Sequence, residues 1–285
     1  MASLKEVKGR ITSVTSTMKI TSAMKMVASA KLHHAQAAIT GMLPYERKLY
    51  DMLTAFMANE QDFQSNYITA RPVHKLAIVV FSSNSSLCGA FNSNVARLLN
   101  NVVDSYKELT NKDIFIYPVG KKISHVAKKA GFQVQGDYEL MADKPSYKAA
   151  ADLAAEIMKK YADGEFDKVE IIYHHMKSTS SQLLLNETYL PLQIEVEHEG
   201  PALDYIVEPS SAELLSVMIP QVISLRMFTA LLDSNASEYA ARMMAMQTAS
   251  DNAEEILQDL TIQYNKSRQQ AITNELLDII GGSFK

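Results

Sequence analysis

The residues with the best chance of doing chemistry lie between positions 82 and 89, where Ser82-Ser83-Asn84-Ser85-Ser86-Leu87-Cys88-Gly89 follows an apolar run and precedes a helical pattern. A strand-to-helix loop is where α/β folds present backbone N–H groups to phosphate. This one has neither GxxxxGK[ST] nor GxGxxG, so a structural turn is the plainer reading. Cys88 in that loop could be a nucleophile at a helix start, but no histidine is paired with it in sequence, and a small semi-buried thiol is expected. His33-His34 and His174-His175 suggest metal ligation. Neighbours point about 100° apart on a helix and to opposite faces on a strand, so neither dipeptide can grip one ion. HExxH is absent. Glu254-Glu255 and Glu197-Glu199 could pair for acid–base work, but on a helix face and in a polar loop they read as solvating charge. No catalytic, cofactor or metal site is expected.

The elements that would position these residues are unevenly punctuated. Ten Gly and eight Pro fall almost wholly between Gly41 and Pro220. Neither occurs from Arg10 to Thr40 or over the 60 residues from Gln221 to Ile280. Ser3-Leu4-Lys5-Glu6 and Ser210-Ser211-Ala212-Glu213 fit capping boxes, and Gly281-Gly282 reads as a stop. The pattern predicts a helix from about Ser3 to Phe56, bent at Gly41 and Pro44. It predicts a second from Ser210 to about Ile280, with Pro220 as a kink position.

The period of the two ends is about 3.5. Apolar or small residues recur at Leu4, Val7, Ile11, Val14, Met18, Thr21, Met24, Ala28, Leu32, Ala35, Ile39 and Met42. They recur again at Tyr239, Met243, Met246, Ser250, Ala253, Leu257, Leu260, Tyr264, Ser267 and Ala271. Two seams of one period predict a left-handed coiled coil, antiparallel because one arm enters the middle of the chain and the other leaves it. Met18, Met24, Met26, Met243, Met244 and Met246 are assigned to its packing, in a form that suits adaptable interfaces.

Between the arms, strand and helix patterns alternate. Strands are expected at Lys75–Phe81, Asp113–Val119, Phe132–Val134, Val169–His174 and Gln182–Leu190. Helices are expected at Asn94–Leu109, Ile123–Ala130 and from a Ser146 cap to Tyr161. This alternation predicts a small α/β domain with a largely parallel sheet. The resulting division is 1–57 for the first arm, 74–195 for the central domain and 209–285 for the second arm, with an acidic loop from Glu195 to Glu208.

Composition bounds the function. The chain has 285 residues, 47% hydrophobic, with a net charge of −4, which argues against a dedicated nucleic-acid binder. One cysteine excludes an internal disulfide. Leu214–Leu225, the longest apolar run, is interrupted by Ser216, Pro220, Gln221 and Ser224, so no bilayer-spanning helix is expected. The basic, Ser/Thr-rich N-terminus imitates a transit peptide, but Glu6 interrupts it and the helical period runs through it; a mature, soluble chain is expected. Charge is asymmetric. Residues 1–40 carry six basic groups and one acid, whereas residues 195–213 carry six acids and no Lys or Arg. The first arm therefore offers a basic contact surface.

Ile20–Leu32 (ITSAMKMVASAKL) and Ser237–Gly282 (SEYAARMMAMQTASDNAEEILQDLTIQYNKSRQQAITNELLDIIGG) strongly resemble the gamma subunits of F-type ATP synthases. SSLCGAFN (Ser85–Asn92) looks like that family's GLCGGFN, and the resemblance covers the whole chain in order. It implies an α/β fold class: a long antiparallel coiled coil of the N- and C-terminal helices plus a central Rossmann-like α/β domain. It implies a non-catalytic rotor shaft with no cofactor. The partners implied are the alpha and beta subunits, epsilon, and a ring of c subunits at the cytoplasmic side of a bacterial inner membrane. By motif match, Arg268, Gln269 and Thr273 are implied contacts with a beta loop near the shaft top. Met24 matches a position that affects coupling, Lys25 would attract beta's acidic lever, and Arg242 is a coupling contact. Ser86 and Ala90 stand where that loop motif has glycines, which puts a close backbone approach there in doubt. With Cys88 alone, the chloroplast form's regulatory dithiol is excluded.

Two other readings follow from the residues. One is a coiled-coil scaffold, or nucleic-acid-associated adaptor, using the basic arm. It lacks clustered aromatics for base stacking. The other is a small α/β enzyme with a helical dimerisation arm, which lacks a nucleotide fingerprint.

Overall fold

The computed structural model describes residues 4–59, 63–194, 207–208 and 210–283. The elements in order are α1 (Leu4–Asn59), β1 (Leu76–Phe81), α2 (Phe91–Ser105), β2 (Ile114–Val119), α3 (Lys121–Lys129), β3 (Gln133–Val134), α4 (Glu139–Asp143), α5 (Tyr147–Ala162), β4 (Lys168–Ser178), β5 (Ser181–Leu190) and α6 (Ser211–Ser283). The chain divides into two compact units, Ala30–Ala241 and the pair Met1–Ser29 with Arg242–Lys285.

In the first unit the sheet runs β3-β2-β1-β4-β5. β1 is parallel to β2 and β4, and β3 is parallel to β2. The fifth strand, β5, is antiparallel to β4. All six residues of β1 are buried, as a strand covered on both faces requires. Its alternation serves two cores. Ala77, Val79 and Phe81 join α1, α5 and α6, while Leu76, Ile78 and Val80 join Val95 and Leu99 of α2 and Ile123 of α3. Ser146 caps α5 through the Ala149 N–H at 3.3 Å, as its position in the sequence suggests.

Several boundaries differ from expectation. α2 starts at Phe91 rather than Asn94 and ends at Ser105 rather than Leu109. Beyond its end a turn takes over, in which Asp113 Oδ2 accepts from Thr110 N–H (3.1 Å) and Oγ1 (2.6 Å). The short α4 was not expected. β4 runs on to Ser178, because its polar end is held by hairpin pairing with β5 rather than by apolar burial. α1 is a single helix across Gly41 and Pro44. α6 is a single helix across Pro220, and its backbone continues through Gly281-Gly282 to Ser283. Ser210 Oγ accepts the Glu213 N–H at 3.3 Å, so the second cap forms. Ser3 and residues 195–206, with most of the acidic loop, lie outside the described residues.

The apolar content of α6 is higher than the interrupted run implied. One 18-residue window has mean hydropathy 1.6, long and apolar enough by length and composition to cross a membrane. That window is 61% buried within the protein. From Val222 to Ala240 only Arg226, Thr229 and Asp233 are not buried. A helix apolar nearly all round is the central helix of a core, and α6 is that helix for this unit.

Gly120 is the residue at which backbone conformation decides most. Its φ is +109°, and a Cβ there would lie 2.3 Å from the Ser82 carbonyl oxygen. Gly120→Ala combines a strained φ with a clash against backbone, so a loss of about 3 kcal/mol or more is expected. Urea unfolding of the full chain measures it; a midpoint within error of the unaltered chain would refute this account.

Candidate functional site

The serine-rich loop spends its polar groups on its own fold. Ser82 Oγ accepts the Ile123 N–H (3.1 Å), the Ser83 carbonyl accepts from Lys122 (3.1 Å), and Asn84 Oδ1 accepts from Lys121 (2.9 Å). These caps satisfy the start of α3. Asn92 Oδ1 accepts the Ser83 N–H at 3.1 Å, and Asn92 Nδ2 donates to Ser83 Oγ (2.8 Å) and Cys88 Sγ (3.1 Å). Cys88 is buried in this cluster, with no histidine beside it in those bonds. The loop is a structural turn. Leu87, at φ 68°, holds its left-handed corner.

His174 and His175 separate as strand geometry requires, whereas the His33 and His34 rings meet edge-on with centroids 6.3 Å apart. His174 is 3% exposed and its ring stacks on Phe91, centroids 4.2 Å apart. His175 points the other way, with Nδ1 2.6 Å from Asp233 Oδ2. Among the described residues, no group of three or more His, Cys, Asp or Glu is placed to hold a metal ion. His174 Nδ1 has no hydrogen-bond partner, and burial depresses the ring's pKa to about 4.

A cavity of about 700 Å³ lies in the unit Ala30–Ala241 and is lined by Glu46, Tyr50, Glu187, Val222, Leu225 and Arg226 among others. Arg226 Nη2 pairs with Glu187 Oε2 at 3.4 Å. Burial raises the Glu46 carboxyl pKa, opposed by a hydrogen bond from Thr229 (3.2 Å) and by the Arg226 charge.

The six residues singled out by motif match all fall in the other unit, Met1–Ser29 with Arg242–Lys285. That unit is a helix pair. Every seam position predicted for it, from Leu4 to Ala28 and from Met243 to Ala271, is buried or half-buried. Thr21 Oγ1 and Ser250 Oγ meet across the pair at 2.7 Å. Burial on α6 ends at Ala271, where an antiparallel partner beginning at Leu4 would run out. At 1.5 Å per residue, Thr21–Ser250 pairing puts Met24, Lys25 and Arg242 within about two turns along the axis. Met24 and Lys25 are half-buried, and Arg242 is only 9% exposed. Arg268, Gln269 and Thr273 are exposed and lie about 39 Å or more further along α6. Thr273 Oγ1 donates to the Gln269 carbonyl at 2.9 Å. The six candidate residues thus fall at two levels along the helix pair.

Two expectations about the pair need correction. Met26 (66% exposed) and Met244 (42%) are not coil packing, because each lies off the seam on the outer face. The pair also has a feature outside the two seams. Past Ala271 every described side chain to Ile280 is exposed, including Ile272, Leu276, Leu277, Ile279 and Ile280. Its signal in the sequence is apolar residues continuing beyond the point where the first arm can reach. Such a patch marks an interaction surface.

The candidate contacts lie on a helix pair, and the serine-rich loop of the α/β unit is bonded into its own unit. The family model described as ATP synthase matches residues 3–284. The ATP synthase gamma chain of Phocaeicola vulgatus is 57% identical over 287 residues, covering 99% of both chains. That of Bacteroides thetaiotaomicron is 56% identical over 298 residues, covering 100% of both. The rotor of Euglena gracilis mitochondrial ATP synthase has a similar fold (TM-score 0.62, 21% identity, 94% of this chain and 98% of that one). So does the central stalk of the Tetrahymena thermophila enzyme (TM-score 0.58, 22% identity, 81% and 99%). The chain belongs to the ATP synthase family, among its gamma chains.

Proposed function

We propose that this chain is the central-stalk rotor of a proton-translocating F-type ATP synthase, present in one copy and peripheral to the cytoplasmic face of a bacterial inner membrane. The alpha and beta subunits form the hexamer around the helix pair, and epsilon and the c ring bind towards the α/β unit. The observation that carries this reading is that the gamma-chain match runs through the entire helix pair on which all six contact residues lie. The chain turns over no substrate itself. Ion flow turns it, and its asymmetric faces meet each beta subunit in turn.

The mechanism is population shift. A face that binds one beta conformation more tightly than another by a few kcal/mol sets which conformation is occupied. Met24, Lys25 and Arg242 would bias the lower levers of beta, with Lys25 attracting acidic residues there. Arg268, Gln269 and Thr273 would engage a beta loop near the tip. The exposed apolar end of α6 would run in the sleeve formed by the hexamer, where contacts must bind and release at every step.

Reconstitution tests this directly. Alpha and beta subunits from the same source are mixed with and without the chain, and complex size and ATP turnover are followed. A stable complex with strongly raised turnover only when the chain is present is the expected result. No association and no change in turnover would exclude the rotor reading and favour the scaffold.

A further inference from the structure

Torque can pass along a helix only if the helix is held against turning about its own axis. Interdigitated apolar side chains resist such turning sterically, and directional hydrogen bonds add a defined angular setting. Within the unit Ala30–Ala241, α6 is buried nearly all round, and two of the polar side chains it buries, Asn235 and Ser237, are bonded to the backbone of other elements. Ser237 Oγ donates to the His174 carbonyl of β4 at 3.2 Å. One turn earlier on the same side, Asp233 Oδ1 accepts the Met176 N–H of β4 at 3.3 Å. Asn235 Nδ2 donates to the Ala142 carbonyl of α4 at 2.7 Å. Residues two apart on a helix point about 160° from each other, so Asn235 and Ser237 hold α6 from opposite sides. Lower down, Tyr189 of β5 donates its hydroxyl proton to the Ile223 carbonyl at 2.7 Å.

We infer that Asn235, Ser237 and Tyr189 form a rotational lock that fixes α6 in the α/β unit, so that torque entering that unit reaches the tip instead of twisting the helix in its socket. These are positioning residues: none belongs to the contact stations. The fold could have buried Leu or Ala here at lower desolvation cost, and a buried polar group is high-stakes unless fully bonded. What the bonds add is a unique angular setting. The inference rests on the rotor reading above.

The test uses the whole reconstituted complex with the hexamer fixed to a surface. A bead is attached through a Lys107→Cys substitution on the α/β unit, where Lys107 is exposed. Torsional stiffness is read from angular fluctuations of the bead when the motor is stalled without nucleotide. The Asn235→Ala/Ser237→Ala double variant is expected to assemble and to lose about twofold in stiffness, each bond being of ordinary strength. Tyr189→Phe deletes one hydroxyl and keeps the packing; it is expected to show a smaller loss in the same direction. If the double variant fails to assemble, Tyr189→Phe decides. Stiffness equal to that of the unaltered complex in every variant that assembles overturns the lock, whatever the change in melting temperature. Absence of ATP-driven rotation in the unaltered complex removes the rotor reading and the lock together; rotation with unchanged stiffness removes the lock alone.

Discussion

Replacing Arg268, Gln269 and Thr273 together with alanine lowers ATP turnover of the reconstituted complex by about tenfold or more, while assembly is unchanged. Tenfold is about 1.4 kcal/mol of differential contact, and three side-chain hydrogen bonds of ordinary strength supply that or more. The effect cannot be ascribed to folding. All three side chains are exposed on α6, and alanine is the best helix former, so the helix itself is unharmed or slightly strengthened. The Thr273 hydroxyl already serves its own helix through the Gln269 carbonyl, so the larger part of the loss is assigned to Arg268 and Gln269. The measurement is steady-state ATP hydrolysis with circular dichroism and complex size as controls. Turnover within twofold of the unaltered complex would refute the tip contacts and leave Met24, Lys25 and Arg242 as the coupling station.

The full chain loses stability as pH falls from about 6.5 towards 4, and His174→Leu removes most of that slope. Burial against Phe91 depresses the folded-state pKa of His174 to about 4. An unfolded histidine titrates near 6.5. Between those values the unfolded chain binds more protons than the folded chain. Stability therefore is fully present above the unfolded pKa and is lost as pH falls through the window, by on the order of 3 kcal/mol. Glu46 acts with the opposite sign. Its pKa is raised by burial, so its contribution is present at low pH and fades as pH rises. Comparing the unaltered chain with His174→Leu at each pH cancels the Glu46 part. Urea unfolding at several pH values between 4 and 7 measures the difference; equal slopes in the two proteins would show that His174 is not the titrating group.

Features that depend on local periodicity are legible in the amino-acid order. Both seams were legible to the residue, from Leu4 to Met42 and from Tyr239 to Ala271, because a helix face repeats at a spacing set by the backbone alone. The parallel strands were legible because a strand buried on both faces is an unbroken apolar run, as in β1. The candidate contact residues rest on a family motif alone, since exposed Arg268 and Gln269 carry no periodic signal.

What surrounds each face is set by the folded chain. It made α6 the central helix of the α/β unit and buried Ser224, one of the polar interruptions that bar the sequence run from reading as a bilayer span. It left Met26 and Met244 outside the seam and the tip beyond Ala271 uncovered. It turned Asn235 and Ser237, polar residues indistinguishable in sequence from solvent-facing ones, into buried donors to the carbonyls of α4 and β4. The physical reason is the same in each case. Secondary structure follows from neighbours in the chain, but burial and hydrogen-bond partnership follow from residues such as His174 and Ala142, tens of positions away, whose arrival no local pattern records.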